Sequence, residues 1–590
     1  MSVSTRMRHR MSDDSPRGAG GGSADTRALA GGRRGALTPG LATVAATASA
    51  GFIAGSIESL AIASSRSFFF HSAADAAAFL LVPSSVYALI GALVGAVAAA
   101  AVRFILARRA AAALRSRPAL WWGVASASLA ACAFLAAWSA LGVPSEDHPR
   151  TENTSGRNVL LITIDTLRSD ALGCYTHRAP GESGSPVIDA LASEGLVFEN
   201  AIVPMIATGP SHASILTSLY PAEHGIVRNA YRLNDDVPTL AEAFRDLGYR
   251  TCGAVSVEHL DGYMSGLSRG FTAYIDRGVH DRFRHHLAWR AVPIRWIIEH
   301  ERDAHATTDA LVSWLRGSGD APFFAWIHYF DPHMPYLSHD GTGGAFGWDD
   351  REFLPAASGE ELAGLLADGV AGYGSEVSHV DAAIALLMTE LRRLDLLGET
   401  LIVITSDHGE HMHEDRLPVE QWFGHYAIFE EACRVPLIIW KPGLVEPGRV
   451  AEQVSVMDIG PTVLELTGAS ESGMGGGMSL AHVRRRPGPP TGVSVERPLV
   501  ILPNPHGEAE ERGLRLGTWK LFQREGSEPV LIDLKDNPRE LLTRPHMNVA
   551  HCNYMADLLA RIVHDWGEAP RAQEIDEAAE EALRALGYVR

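Results

Sequence analysis

The sequence predicts an α/β protein, a doubly wound sheet with helices on both faces, preceded by transmembrane helices. Three observations carry this. Two short apolar runs each end in an acid, at residues 158–165 (NVLLITID) and 399–407 (ETLIVITSD). A continuous apolar run of this length suits a central parallel strand buried on both faces. A carboxylate at its C-terminal end lies where open α/β sheets place their sites. Between these runs, helical and strand patterns alternate. Leu240, Ala243, Phe244 and Leu247 mark a helix over 239–247, and Val377, Val380, Ala383, Ile384 and Leu387 mark another over 371–391. A further strand is predicted at 322–330. Ahead of all this, three apolar stretches at 41–63, 76–102 and 120–141 are each long enough to span a bilayer.

The membrane end has its own logic. Residues 1–40 are rich in Gly, Ser, Ala and Arg and read as a disordered basic arm. The first stretch holds one acid, Glu58, and the other two carry no charge. Arg6, Arg8, Arg10, Arg33 and Arg34 precede the first stretch, and Arg103, Arg108, Arg109, Arg115 and Arg117 separate the second from the third. The intervening loop has only Arg66 and Asp75. Positive charge marks the cytoplasmic side. The expectation is therefore a multi-pass membrane protein of three helices, with everything after the linker at 143–156 outside the cytoplasm.

Composition bounds the remainder. A chain of 590 residues exceeds one compact domain. The net charge is −19, and the arginine-rich membrane end leaves the rest still more acidic. A nucleic-acid partner is not expected. Cys132, Cys174, Cys252, Cys433 and Cys552 show no C-x-x-C spacing and indicate no disulfide framework.

The motifs are more specific. Thr208-Gly209-Pro210-Ser211-His212 runs into Ile215-Leu216-Thr217 and then Pro221 and His224-Gly225. This resembles the C-x-P-S-R nucleophile motif of the sulfatase family of the alkaline phosphatase superfamily, with threonine at the nucleophile position. Five further segments are similar to family motifs in the family's order. They are the strand from Asn158, Thr405-Ser406-Asp407-His408-Gly409-Glu410, Asp331-Pro332-His333-Met334-Pro335-Tyr336, Glu430-Glu431 with Arg434-Val435-Pro436-Leu437-Ile438, and Asp458-Ile459-Gly460-Pro461-Thr462. Leu531–Glu540 resembles a C-terminal element of the family. The resemblance covers roughly 158–545. It implies a mixed, alkaline-phosphatase-like sheet over a catalytic domain at 157–485. A small antiparallel-sheet subdomain and helical tail then occupy 486–590, with strand-like runs at 499–502, 514–522 and 530–534 and helices at 555–566 and 576–586.

The resemblance also implies chemistry. Asp165, Thr208, Asp407 and His408 would hold a divalent metal ion, which would activate the Thr208 hydroxyl as nucleophile. Asp331, His333 and His425 are candidates for a second metal or for substrate, with His413 ranked below them and Glu410 behind the ligands. The ion count is therefore one or two. Thr166 stands where many sulfatases have a second Asp, and His408 where Asn is common. Zinc or manganese is favoured by that ligand set, with calcium an alternative. Formylglycine, the sulfatase nucleophile, forms from Cys or Ser and not from Thr. His212 replaces the motif arginine, and no G-K-W-H follows Gly248-Tyr249-Arg250-Thr251. Asn229, in His224-Gly225-Ile226-Val227-Arg228-Asn229, is similar to a phosphodiesterase asparagine that donates to a phosphoryl oxygen. Thr208, His212 and Asn229 are thus the catalytic candidates. Arg168 suits either a substrate anion or a helix cap. Inserts at 269–305 and 341–360 are expected to set specificity.

The leading expectation is a membrane-anchored, metal-dependent hydrolase of a phosphate mono- or diester or a sulfate ester. Its partners would be that ester and the membrane. The alternatives are a phosphoethanolamine- or phosphoglycerol-type transferase acting on envelope lipids or glycans, a sulfuric ester hydrolase without formylglycine, and an inactive binding module. Intact Asp165, Thr208, Asp407 and His408 argue against the last.

Overall fold

Alternate residues of the central strands feed two separate cores. On strand β1 (Asn158–Ile164), Val159 and Leu161 point to one side, and Leu160, Ile162 and Ile164 to the other. Every residue of β1 is buried, so each strand face must be covered by helices. The remaining strands of this sheet are β2 (Leu196–Ile202), β4 (Arg250–Val255), β5 (Ala273–Asp276), β6 (Phe323–Tyr329), β7 (Thr400–Ser406), β8 (Arg434–Trp440) and β9 (Gly448–Ser455), with the short β3 (Tyr231–Arg232) lying outside it. Their order is β5-β4-β6-β1-β7-β8-β2-β9. Strand β8 runs antiparallel to both its neighbours and the other pairs are parallel, so the sheet is mixed.

The structure, a computed structural model, describes residues 157–574, apart from stretches at 177–183, 230, 277–301, 318, 320, 340–344, 415–416, 418–421, 470–473, 483–496, 504–510, 543–544 and 567–572. The basic arm, the three apolar stretches, the linker, much of the insert at 269–305 and the helix expected at 576–586 fall outside the described residues. Among the described residues no helix is long and apolar enough to cross a membrane.

Helices cover both faces. Helices α1 (Pro186–Glu194), α4 (Ala304–Arg316) and α5 (Gly359–Arg393) pack Ile188, Leu311, Val377, Val380, Ile384 and Leu387 on one side. Helices α2 (Thr208–Thr217), α3 (Leu240–Asp246) and α6 (Ile459–Leu466) pack Ile215, Phe244 and Val463 on the other. Helix α3 begins where a capping box says it should. Thr239 accepts from the Glu242 N–H, and Glu242 reaches back to the Thr239 N–H. Helix α5 starts well before the predicted 371, because its first turns carry exposed residues with a weak apolar stripe.

A second sheet comprises β10 (Leu499–Ile501), β11 (Glu511–Leu516), β12 (Trp519–Arg524) and β13 (Val530–Asp533), all antiparallel. The run read as one strand at 514–522 is instead the β11–β12 hairpin, turned at Gly517, whose φ of 59° suits glycine. Leu499, Ile501, Phe522 and Ile532 join the core of the large sheet. Val500, Leu514, Leu521 and Leu531 pack with Met555 and Leu559 of helix α7 (Val549–Asp565). Buried charge ties the two sheets. Lys520 sits 3.0 Å from Glu430 and 2.8 Å from Glu540, and Arg515 lies 3.2 Å from Glu430.

Candidate active site

Strand register explains why residues far apart in sequence meet. Ile164 ends β1 directly opposite Ser406 at the end of β7. The next residues, Asp165 and Asp407, therefore emerge side by side at the C-terminal edge of the sheet. With His408 they form a fully buried group whose ligand atoms all lie within 4.8 Å of one another. The chain leaves β1 through Thr166, a β-branched residue with φ of 53°. Such a conformation costs about 1–3 kcal/mol and persists only where surroundings impose it. Here the Thr166 N–H reaches Asp407 Oδ1 (3.3 Å), the Leu167 N–H reaches Ser406 Oγ (3.1 Å), and the Tyr373 hydroxyl donates to the Thr166 carbonyl (3.0 Å).

Helix α2 aims its first residue at this group. Thr208 opens the helix, and Pro210 lies in the first turn, where a missing N–H leaves nothing unsatisfied. Thr208 Oγ1 is 3.5 Å from His408 Nε2. All ten helix residues are buried, and polar contacts lock them in place. Ser211 Oγ donates to the Asp407 carbonyl (2.7 Å). His212 donates from Nδ1 to the Thr208 carbonyl (2.8 Å), and its Nε2 accepts from Thr163 Oγ1 (3.0 Å), which in turn accepts from the Trp326 indole (2.9 Å). Both imidazole nitrogens of His212 are thus engaged by the protein, and burial pushes its pKa down. His224 plays a similar part further along, linking Ser214 Oγ (3.0 Å) to the Ile226 N–H (3.1 Å). The Gly209 N–H donates to Asn229 Oδ1 (2.8 Å). With Oδ1 so engaged, the NH2 group is the donor left to the Asn229 amide, beside a helix N-terminus whose dipole favours negative charge.

The donor set fits a divalent cation. His408 Nδ1 lies 3.0 Å from the Gly409 carbonyl, which can only accept, so Nδ1 is the donor and Nε2 is the nitrogen that would offer a lone pair to a metal. That lone pair faces Asp407 Oδ2 at 3.5 Å and Asp165 Oδ1 at 3.9 Å. Asp407 Oδ1 accepts from the His408 and Thr166 N–H groups, but Oδ2 is shielded from solvent without a hydrogen bond. Lone pairs facing one another in a buried space are costly unless a cation lies between them. Two carboxylates, one imidazole and a hydroxyl suit a hard or borderline ion.

A row of histidines extends the site. The His425 ring is 4.3 Å from that of His408 and 5.5 Å from that of His333. His333 stacks on Phe330 and donates from Nδ1 to the Met334 carbonyl (2.7 Å), leaving Nε2 with its lone pair. Burial, with His425 nearby, lowers its pKa to about 4. Burial also lowers His425 well below the usual range. Glu410 lies behind this row, with Oε1 3.4 Å from His425 Nδ1, and burial raises its pKa.

Other candidates go elsewhere. Asp331 does not converge with His333 and His425 into one ligand set. Its Oδ1 accepts from the Ala304 N–H (2.9 Å) at the start of α4, and it groups with Asp303 and His379. His413 is exposed. Arg168 binds no open anion site, because its guanidinium holds Asp170 at two 2.8 Å contacts and Glu414 at 2.8 Å. One residue went unread in the sequence: His328, on β6 opposite Thr163, with Nε2 3.5 Å from Asp165 Oδ2. Its Nδ1 faces Ser256 Oγ (3.2 Å). The available signal was a lone histidine inside the apolar run FFAWIHY.

Comparison with known proteins agrees with this architecture. The family model described as Sulfatase matches residues 157–469. The multifunctional alkaline phosphatase superfamily protein PehA of Trinickia caryophylli is 27% identical over 400 residues, covering 55% of this chain and 76% of PehA. The N-acetylglucosamine-6-O-sulfatase of Bacteroides thetaiotaomicron is 23% identical over 487 residues, covering 68% of this chain and 85% of that protein. Among solved structures, the phosphonate monoester hydrolase of Agrobacterium radiobacter superposes with a TM-score of 0.51 at 22% identity, covering 69% of this chain and 95% of the other. A protein solved in complex with its substrate D-glucosamine-2-N,6-O-disulfate superposes with a TM-score of 0.55 at 20% identity, covering 70% and 98%. These structural likenesses speak for the fold. With half of its length matched and its acids, threonine and histidine gathered at one sheet edge, the chain belongs to the sulfatase family of the alkaline phosphatase superfamily.

Proposed function

We propose that this protein is a membrane-anchored, divalent-metal-dependent ester hydrolase that cleaves a phosphate mono- or diester through Thr208. Its catalytic domain would lie outside the cytoplasm. The observation that carries the reading is the placement of the Thr208 hydroxyl at the first residue of α2, 3.5 Å from His408 Nε2. A divalent ion held by Asp165, Asp407 and His408 would lower the hydroxyl pKa and polarise the ester. Zinc or manganese suits this set better than calcium, which prefers more oxygen ligands.

The chain's own groups divide the work. Thr208 Oγ1 attacks phosphorus, forming a P–O bond to threonine as the P–O bond to the leaving group breaks, and the threonine proton departs with the released alcohol. The N-terminus of α2 and the Asn229 NH2 group stabilise charge on the non-bridging oxygens. His333, held neutral by burial, has an open Nε2 that can take the proton from the water that later cleaves the threonyl ester. His212 acts through Thr208 by anchoring the first turn of α2 and is a positioning residue. The threonine favours phosphorus over sulfur because it cannot supply the formylglycine aldehyde. A phosphonate monoester hydrolase, that of Agrobacterium radiobacter, is among the proteins that share this fold.

A panel of aryl phosphate, phosphodiester, phosphonate and sulfate esters tests this with the full chain in detergent. Phosphorus esters should be the better substrates, and preferential sulfate hydrolysis would overturn the nucleophile argument. A C-terminal reporter active only in the cytoplasm should stay silent, and a signal would overturn the topology.

A further inference from the structure

We propose that Asp303, Asp331 and His379 form a second divalent-cation site, suited to zinc, separate from the centre at Asp165, Asp407 and His408. It stands independently of the proposed function. Three elements meet here. Asp303 is the N-cap of α4, Asp331 follows β6, and His379 lies in α5. One ligand atom from each lies within 4.8 Å of the others. His379 Nε2 is 2.7 Å from Asp303 Oδ2 and 3.8 Å from Asp331 Oδ1.

The second observation is the state of Asp331. Its side chain is 7% exposed, and Oδ1 accepts the Ala304 N–H and faces His379. Oδ2 of the same carboxylate is shielded from solvent and has no hydrogen bond among the described residues. Buried carboxylate oxygens are normally matched by donors or cations. An ion on this carboxylate supplies the match. One imidazole with two carboxylates is an N/O set of the kind zinc takes, and it is too small for the six to eight oxygens of calcium. The imidazole is already oriented, since the His339 ring stacks on it at 3.7 Å. His305, with its ring 4.6 Å from that of His379, is the nearest further imidazole. Asp303 is about half exposed, so an ion can enter from solvent without unfolding the site. Bound there, it would fasten α4 and α5 to the turn that carries His333.

The test is zinc titration of the metal-stripped full chain in detergent, with metal content measured after gel filtration. The parent should hold two equivalents. His379→Gln and Asp303→Asn should each hold one and keep the parent's rate of aryl phosphate hydrolysis. Asp303→Asn retains a side-chain oxygen to cap the His305 and Ala306 N–H groups, so it decides the matter if His379→Gln misfolds. Asp407→Asn should also hold one equivalent, but without activity. A parent that holds a single equivalent lost on Asp407→Asn overturns this proposal and leaves the catalytic reading standing. Two equivalents retained in Asp303→Asn and His379→Gln overturn it as well. Two equivalents retained in Asp407→Asn count against the catalytic reading instead.

Discussion

Two of the protein's buried charge clusters are treated differently. At the junction of the two sheets, Glu430 and Glu540 face Lys520, and Arg515 reaches Glu430. Burial alone would raise Glu430, but Lys520 and then Arg515 pull it down to about 2. That cluster supplies its own cations. At the end of β1 and β7, the basic side chains that reach Asp407 among the described residues are the imidazoles of His212 and His408, and its Oδ2 accepts no hydrogen bond among the described residues. The first cluster is closed and structural. The second is arranged for a cation from outside, which is what separates a lock from a site.

The sharpest way to break the comparison is at Thr208. Thr208→Ala removes the nucleophile and its hydroxyl from beside His408, and leaves every charged group of both clusters in place. Hydrolysis should fall by roughly 10³-fold or more, with the unfolding midpoint little changed. Retained turnover would exclude the nucleophile assignment.

Next comes the lock. Lys520→Met leaves Glu430 and Glu540 buried opposite an apolar chain. Removing one partner of a buried pair costs about 3–5 kcal/mol. Urea unfolding should register that loss, whereas the activity of the molecules that remain folded should be unaltered. A loss below about 1 kcal/mol would mean the pair is solvated like a surface bridge.

The open cluster should respond to metal where the lock does not. At a metal concentration 100 to 1,000 times Kd, binding stabilises a fold by about 2.7–4.1 kcal/mol. Chelation should therefore lower the melting temperature of the parent and of Lys520→Met alike. Asp407→Asn combined with Asp303→Asn should be insensitive to chelator, and Asp407→Asn alone should keep only the response of the ion at Asp303, Asp331 and His379. Its metal-free form should also melt no lower than the metal-free parent, because the amide removes a charge from beside Asp165. A chelator effect preserved when Asp407→Asn and Asp303→Asn are combined would place the ion elsewhere.

The two clusters were unequally legible in the sequence. The open one could be read because buried parallel strands are continuous apolar runs, and the acids at 165 and 407 follow such runs directly. Register then does what no motif states, setting Ile164 against Ser406. The lock was not legible. Lys520 and Glu540 sit in ordinary amphipathic contexts, and only the packing of the small sheet on the large one buries them. Asp331 shows the opposite failure. It stands two residues from His333 in one motif, yet the turn after β6 sends Asp331 to the start of α4 and His333 toward His425. His328 was masked by its apolar neighbours, since period-two burial cannot distinguish a ligand from a core residue.

The smallest effect is the pH dependence of the lock, and its sign follows from two opposite shifts. Burial raises Glu540 to about 6 despite Lys520. Between its unfolded value near 4.3 and about 6 the folded state binds more protons, so stability falls as pH rises through that window. Asp381, which burial also raises to about 6 while it accepts from the Val187 and Ile188 N–H groups, adds in the same direction. Glu430 works the other way. Its contribution is complete above about 4.3 and is lost as pH falls toward 2. With metal removed, the carboxylates' share of stability should therefore rise by on the order of 1–2 kcal/mol between pH 7 and pH 5 and fall below pH 4. It is read as the difference between parent and variant, because His224 and His333, lowered by burial to about 3 and about 4, pull the parent's own curve down below about 6.5. Glu540→Gln should flatten part of the first limb while leaving the second. Lys520→Met should erase the acid limb, because Glu430 then has lost its main cation. Urea midpoints across this range decide it, and an acid limb unchanged in Lys520→Met would mean that Arg515 alone holds Glu430 ionised.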